Sequence, residues 1–149
     1  SPSLIIQAAV GIIKKELLNV PSVGILNCHP GLFPKYRGCT CVEWALYNND
    51  AVGCTCHFIT EEIDWGKVVM IEKLKIKKGD DYNKIRRKSF YQCADIMARS
   101  AEKIVKNKFV LDEVILNKTD RKYFKPINEK KKISVNKMLE EMRYSHYSE

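Results

Sequence analysis

The 149-residue sequence predicts an α/β domain built on a mixed, open sheet. Three observations carry this: short apolar runs alternate with a helical pattern at the front, two alternating segments stand in the middle like a hairpin, and a long amphipathic segment follows. Residues 3–9 (SLIIQAA) have strand length and apolar character. Residues 12–18 place Lys14, Lys15 and Glu16 on one side, which predicts a short helix ended ahead of Pro21. Residues 23–27 read as a second buried strand, stopping at HPGLFPKYRG, where Pro30, Gly31, Pro34 and Gly38 forbid regular structure. A long loop therefore leaves the carboxyl end of a strand, the place where open α/β sheets bind ligands. Residues 42–47 are helical, Asn48, Asn49 and Asp50 turn, and residues 52–59 and 68–77 form two strands joined across 60–66. Asp80 precedes a helix over 82–105 whose stripe is Ile85, Phe90, Ala94, Met97, Ala101 and Ile104. Residues 109–116 are a last strand candidate, 119–126 irregular and 133–142 a helix, so the chain divides into a core, 1–117, and a tail, 118–149, packed on it or extending from it.

Composition excludes several classes. With 45% hydrophobic and 9% aromatic residues the chain can bury a core, which sets aside disordered and collagen-like readings. No run approaches the ~18 apolar residues of a membrane span. The net charge of +8 is uneven: residues 1–66 sum to −2, 67–88 to +6 and 118–149 to +4. Between Lys73 and Lys77 the lysines alternate with Leu74 and Ile76, the pattern of a strand with one wet face. A solvated face is the main reading, a polyanion surface the lesser one, and neither a nucleic-acid nor a membrane partner is expected. Cys28, Cys39, Cys41, Cys54, Cys56 and Cys93 lack the knuckle spacing of structural zinc sites, and the run GCTCHFI reads as a buried strand. Free thiols in a reducing, cytoplasmic compartment are the expectation, with a metal or disulfides as lesser alternatives.

The candidate site comprises Asn27, His29, His57 and Asp64. Two apart at a strand end, Asn27 and His29 send their side chains to one face. An amide beside an imidazole suits acyl transfer without a covalent intermediate: the amide donates to a developing oxyanion, and the imidazole moves a proton or donates to the same oxygen. Asp64 follows Glu61, Glu62 and Ile63 in a loop from which its carboxylate could orient the imidazole. Each residue also has an ordinary reading: a loop histidine before proline, a capping asparagine, an aspartate in a solvated turn.

Taken together, the blocks LNCHPGLFPKYRG, WALYNND and VGCTCHFITEEIDWG resemble the folate-dependent formyltransferase family, with Asp64 lying 35 residues after His29. The match spans about residues 4–80. The resemblance implies a partial Rossmann-like formyltransferase domain, its carboxyl-terminal portion, without the amino-terminal strand–loop–helix half. It implies N10-formyltetrahydrofolate as co-substrate, no metal, and a small-molecule amine as acceptor, with a homodimer left open. Catalytic roles fall on Asn27, His29 and Asp64. Cofactor-binding positions fall on Val10, Gly11, Ile12 and Ile13 and on Thr60, Glu61, Glu62 and Ile63; substrate contacts fall on His57 and Arg37. The loop residues Phe33 and Pro34 match a place where the family commonly holds a cis proline.

Some positions depart from the family pattern. Gly31 stands where serine is usual, and Trp65 replaces a small residue, which is expected to narrow the pocket entrance. Tyr36, Arg37 and Gly38 resemble the sugar-nucleotide and methionyl-tRNA branches, whereas the block from Cys54 to Phe58 resembles glycinamide ribonucleotide transformylase. The expected reaction is formyl transfer to a small amine, an amino sugar on a nucleotide being favoured over glycinamide ribonucleotide. A fragment inactive alone, or a noncatalytic fold relic serving as an interaction module, is the contrasting expectation.

Overall fold

The computed structural model describes residues 1–8, 11–107, 119 and 121–149. Its main sheet has four strands in the order β1 (Leu4–Ile6), β2 (Gly24–His29), β4 (Gly53–Phe58) and β5 (Val68–Lys73). β1 and β2 are parallel, whereas β2–β4 and β4–β5 are antiparallel, so the sheet is mixed as expected. Between β1 and β2 lies the short helix α1 (Lys15–Leu18), less than the predicted 12–18. β2 runs two residues beyond the predicted end and carries His29 as its last residue.

β4 is buried along its whole length because both faces are covered. Cys54, Cys56 and Phe58 point to one side with Leu26 of β2, and there meet α3 (Tyr82–Lys106) through Ile96, Met97 and Ile104. Thr55 points to the other side, where its hydroxyl accepts from the Phe33 N–H at 3.1 Å and donates to the Gly31 carbonyl at 2.7 Å. The loop after β2 is thereby pinned across the sheet. Its Phe33–Pro34 bond is cis.

A second cluster joins α2 (Cys41–Tyr47) to α4 (Glu129–Glu140), with Leu46, Ile76, Ile85, Val135 and Tyr144 buried between them. α4 starts four residues before the predicted helix because the Asn128 side chain accepts from the Lys131 N–H at 3.0 Å and caps it. A second, two-stranded sheet pairs β3 (Arg37–Gly38) in parallel with β6 (Tyr123–Phe124). Both strands lie in segments that the sequence reads as irregular, since two-residue strands leave no periodicity. Within the tail, α4 packs against α2 and β6 pairs with β3.

Residues 74–77 leave the ladder after Lys73, yet the alternation persists: Leu74 is half-buried, Ile76 fully buried, and the lysines face out. Phe90 departs from the predicted stripe of α3 and is 59% exposed; the buried face runs through Ile85, Ser89, Ile96, Ser100 and Ile104. The strand expected over 109–116 and the expected boundary at 117 lie outside the described residues. Among the described residues no helix is long and apolar enough to cross a membrane.

All six cysteines are free thiols. Iodoacetamide is expected to label the exposed Cys39 first and to reach buried Cys54 and Cys56 only in denaturant, as peptide mass spectrometry would show; native labelling of Cys54 at the rate of Cys39 would contradict this burial. The turn into α3 is held by Asp80, which accepts from the Lys77 N–H at 2.8 Å and pairs with Lys84 at 2.8 Å and with Lys88. Burial works against its ionisation, but these donors prevail and hold its pKa down at about 2, against an ordinary 3.8. A carboxylate with a depressed folded-state pKa stabilises above its unfolded value and loses that contribution as pH falls. Asp80→Asn should therefore cost about 1.5–3 kcal/mol near neutrality, and its deficit against the parent should shrink between pH 4 and 2, measured by chemical denaturation.

Candidate active site

The antiparallel pairing of β2 with β4 sets Asn27 opposite His57 and His29 opposite Thr55. Side chains alternate across a strand, so these four share one face, and Cys28 turns to the thiol side with Cys54 and Cys56. The ladder between β4 and β5 shifts at Cys56 and His57, the kind of irregularity that re-aims side chains.

His29 is 7% exposed. Its Nδ1 stands 3.7 Å from Asp64 Oδ1, too long for a direct hydrogen bond and short enough for strong electrostatic coupling. Its Nε2 stands 3.3 Å from Cys41 Sγ. Burial pushes the His29 pKa down against the pull of Asp64, so the imidazole is neutral at pH 7. Burial likewise pushes the Cys41 thiol well above its ordinary range, leaving an S–H that can donate to Nε2. Cys41 is a contact that sequence reasoning missed, since a cysteine opening a helix gives no sign of facing a histidine twelve residues earlier.

His57 is 2% exposed, with its pKa pushed down to about 4, chiefly by burial. The Phe33 ring sits between the two imidazoles, its centroid 5.4 Å from His29 and 4.8 Å from His57. His57, expected to contact substrate, has both ring nitrogens engaged within the protein, by the Phe58 carbonyl at 2.9 Å and the Asn27 amide at 3.3 Å.

Asp64 adopts the left-handed conformation, with φ of 50°, which aspartate tolerates better than most residues. Three features hold it there. The Gly38 N–H donates to its Oδ2 at 2.9 Å. Arg37, 3% exposed, donates to the Asp64 carbonyl at 2.6 Å and the Ile63 carbonyl at 2.5 Å. Gly66 lies so close to the Phe58 carbonyl that a Cβ there would come within 1.5 Å of its oxygen. Arg37, expected to contact the acceptor, directs its Nε and Nη2 donors to this loop, as a buried guanidinium seeks partners within the protein. Trp65, expected at the pocket entrance, packs against the guanidinium groups of Arg37 and Arg121, 4.6 and 4.3 Å from its ring. The tail thus reaches the site: β6 backs β3, and β3 supplies both Arg37 and the Gly38 N–H.

Two cavities meet at Asn27. One, of about 320 Å³, is lined by Asn27, His57, Gly11, Ile12, Ile13 and the loop from Ile59 to Asp64. It gathers every residue singled out for cofactor binding that lies among the described residues; Val10 lies outside them. The other, of about 580 Å³, is lined by Asn27, Cys28 and His29 from the sheet and by Phe90, Cys93 and Met97 from α3.

Residues 1–100 match the family model described as formyl transferase. The chain is 34% identical over 98 residues to the bifunctional polymyxin resistance protein ArnA of Wigglesworthia glossinidia brevipalpis, covering 65% of this chain and 15% of that protein. It is 32% identical over 108 residues to the methionyl-tRNA formyltransferase of Thermodesulfovibrio yellowstonii, covering 71% of this chain and 35% of that one. The chain therefore spans only a minor part of these curated relatives. Among solved structures, the formyltransferase PseJ from Anoxybacillus kamchatkensis, in complex with UDP-4,6-dideoxy-4-formamido-L-AltNAc and tetrahydrofolate, superposes with a TM-score of 0.70 at 15% identity, over 87% of this chain and 67% of that one. The mixed sheet is that of these Rossmann-like enzymes, and with two thirds of its length matched by the family model this chain belongs to the formyl transferase family.

Proposed function

We propose that the protein transfers the formyl group of N10-formyltetrahydrofolate to a primary amine of a small molecule. The observation that carries this reading is the placement of Asn27 where the two cavities meet, beside a neutral histidine and a carboxylate. The smaller cavity suits a flat heteroaromatic ring: Ile12, Ile13, Ile59 and Ile63 provide apolar walls, and Asn27, His57, Thr60, Glu61, Glu62 and Asp64 are among its polar lining. The larger cavity admits the acceptor.

In the proposed reaction the amine nitrogen bonds to the formyl carbon while the carbonyl electron pair moves onto oxygen. A side-chain N–H of Asn27 donates to that oxyanion, an interaction stronger in the transition state than in the bound substrate. The proton lost by the amine passes toward the His29 and Asp64 pair, one water bridging, and the carbon–N10 bond breaks as N10 takes up a proton. Asp64 both orients the imidazole and compensates the charge that the proton brings. An amino sugar on a nucleotide is the acceptor favoured. The larger cavity has no Lys, Arg, Asp or Glu among its described lining residues, so it suits an uncharged sugar ring better than a phosphate. The molecule in complex with PseJ is a UDP-linked formamido sugar.

Direct measurement of ligand binding tests the folate half of this reading. 5-Formyltetrahydrofolate, a stable analogue, should raise the melting temperature of the chain in a dose-dependent way; no shift up to millimolar ligand would count against a folate site. In the full-length protein, Asn27→Ala should lower kcat by ~10²–10³-fold and Asp64→Asn by ~10²–10⁴-fold, each with little change in folate affinity. Cys28→Ala, which lines the larger cavity from the thiol side of β2, should alter the acceptor KM and leave kcat near the parent; loss of kcat there with Asn27→Ala unaffected would make the chemistry thiol-based.

A further inference from the structure

The Asn27 amide has two possible flips, and the hydrogen bonds behind it select one. His57 Nδ1 lies 2.9 Å from the Phe58 carbonyl oxygen, which can only accept, so Nδ1 carries the proton. A neutral imidazole protonated at Nδ1 has a lone pair at Nε2. The Asn27 group 3.3 Å from Nε2 must then be the N–H₂ and not the oxygen. Rotation of the imidazole is hindered by Phe33, whose ring centroid stands 4.8 Å away at a tilt of 46°, and by burial that leaves the ring 2% exposed.

We infer that His57 is a positioning residue: its proton-free Nε2 holds the Asn27 carboxamide with one N–H spent on the imidazole, leaving the second N–H and the carbonyl oxygen for substrates. On the formyl-transfer reading, on which this rests, Asn27 then serves both reactants. The free N–H meets the formyl oxygen, and Oδ1 accepts from the attacking amine, aiming the nitrogen lone pair at the formyl carbon. The opposite flip would set the Asn27 oxygen against the His57 lone pair and lose both the donor geometry and the aim. His57 itself touches no reacting atom.

The tautomer can be read without activity. In ¹⁵N-labelled protein at pH 7, long-range ¹H–¹⁵N correlation should show His57 protonated at Nδ1 and unprotonated at Nε2; protonation at Nε2 overturns the inference. In the full-length enzyme, His57→Leu should lower kcat by ~10–10²-fold through misorientation, leaving the KM for formyltetrahydrofolate within about threefold. His57→Gln, whose side-chain oxygen can accept from Asn27, should recover most of the loss. The double variant Asn27→Ala/His57→Leu should be no slower than Asn27→Ala alone, because the second residue acts only through the first. Multiplicative losses in the double variant, or full activity in His57→Leu, would refute the positioning role. An active-site histidine of the predicted tautomer in a parent protein without formyl transfer would instead refute the reaction and leave the hydrogen-bond assignment standing.

Discussion

The register between β2 and β4 is the constraint on which the rest depends. Pairing Asn27 with His57 and Cys28 with Cys56 sorts these strands into a polar face and a sulfur-rich apolar face. A slip of one residue would exchange the faces, burying the amide and both imidazoles against α3 and turning the thiols toward the loop. The cost of stranding those polar groups among Leu26, Ile96 and Ile104 makes the register strongly determined. The same pairing brings a carbonyl-locked histidine behind the asparagine.

On the polar face the second requirement is to hold a loop carboxylate near a strand-end imidazole. The protein meets it with an arginine used as internal scaffolding. Arg37 bridges two loop carbonyls and supports Trp65, against which Arg121 also packs. Glu62 accepts from Arg37 and pairs with Arg121, so the cationic pair is partly neutralised where it is packed together. Because Arg37 belongs to β3 and β3 pairs with β6, the tail and the Asp64 loop form one mechanical unit. Tyr36 stacks on Phe124 and Trp44 donates to the Lys125 carbonyl at 2.8 Å, which ties the unit to α2.

Burial also decides the protonation states. Desolvation keeps both imidazoles neutral, and it keeps the Cys41 thiol protonated, so the centre of the site is a chain of neutral donors and acceptors. Such an interior favours a reaction in which charge develops transiently on an oxyanion, since fixed dipoles act strongly in a low-dielectric setting.

The main elements were legible because their signals are local. Period-two apolar runs, proline and glycine in 30–38, and the amphipathic stretch from Tyr82 mark strands, loop and helix without reference to the rest of the chain. The shared face of Asn27 and His29 follows from strand alternation, and the resemblance carried by the three motif blocks added the residues around Gly11 and Thr60 to the candidate site that holds Asp64. What the sequence could not reveal depends on partners distant along the chain. Two-residue strands such as Tyr123–Phe124 acquire their conformation only by pairing. Arg37 has the same composition whether it faces solvent or two buried carbonyls. The proton positions on His57 and the flip of Asn27 are chosen by the Phe58 carbonyl, a backbone group that every residue possesses and no side-chain pattern can announce. Sequence alone therefore determined which groups were available and on which face of a strand they lie, and tertiary structure decided which of them are free to act, because freedom depends on the hydrogen bonds that burial obliges each group to make.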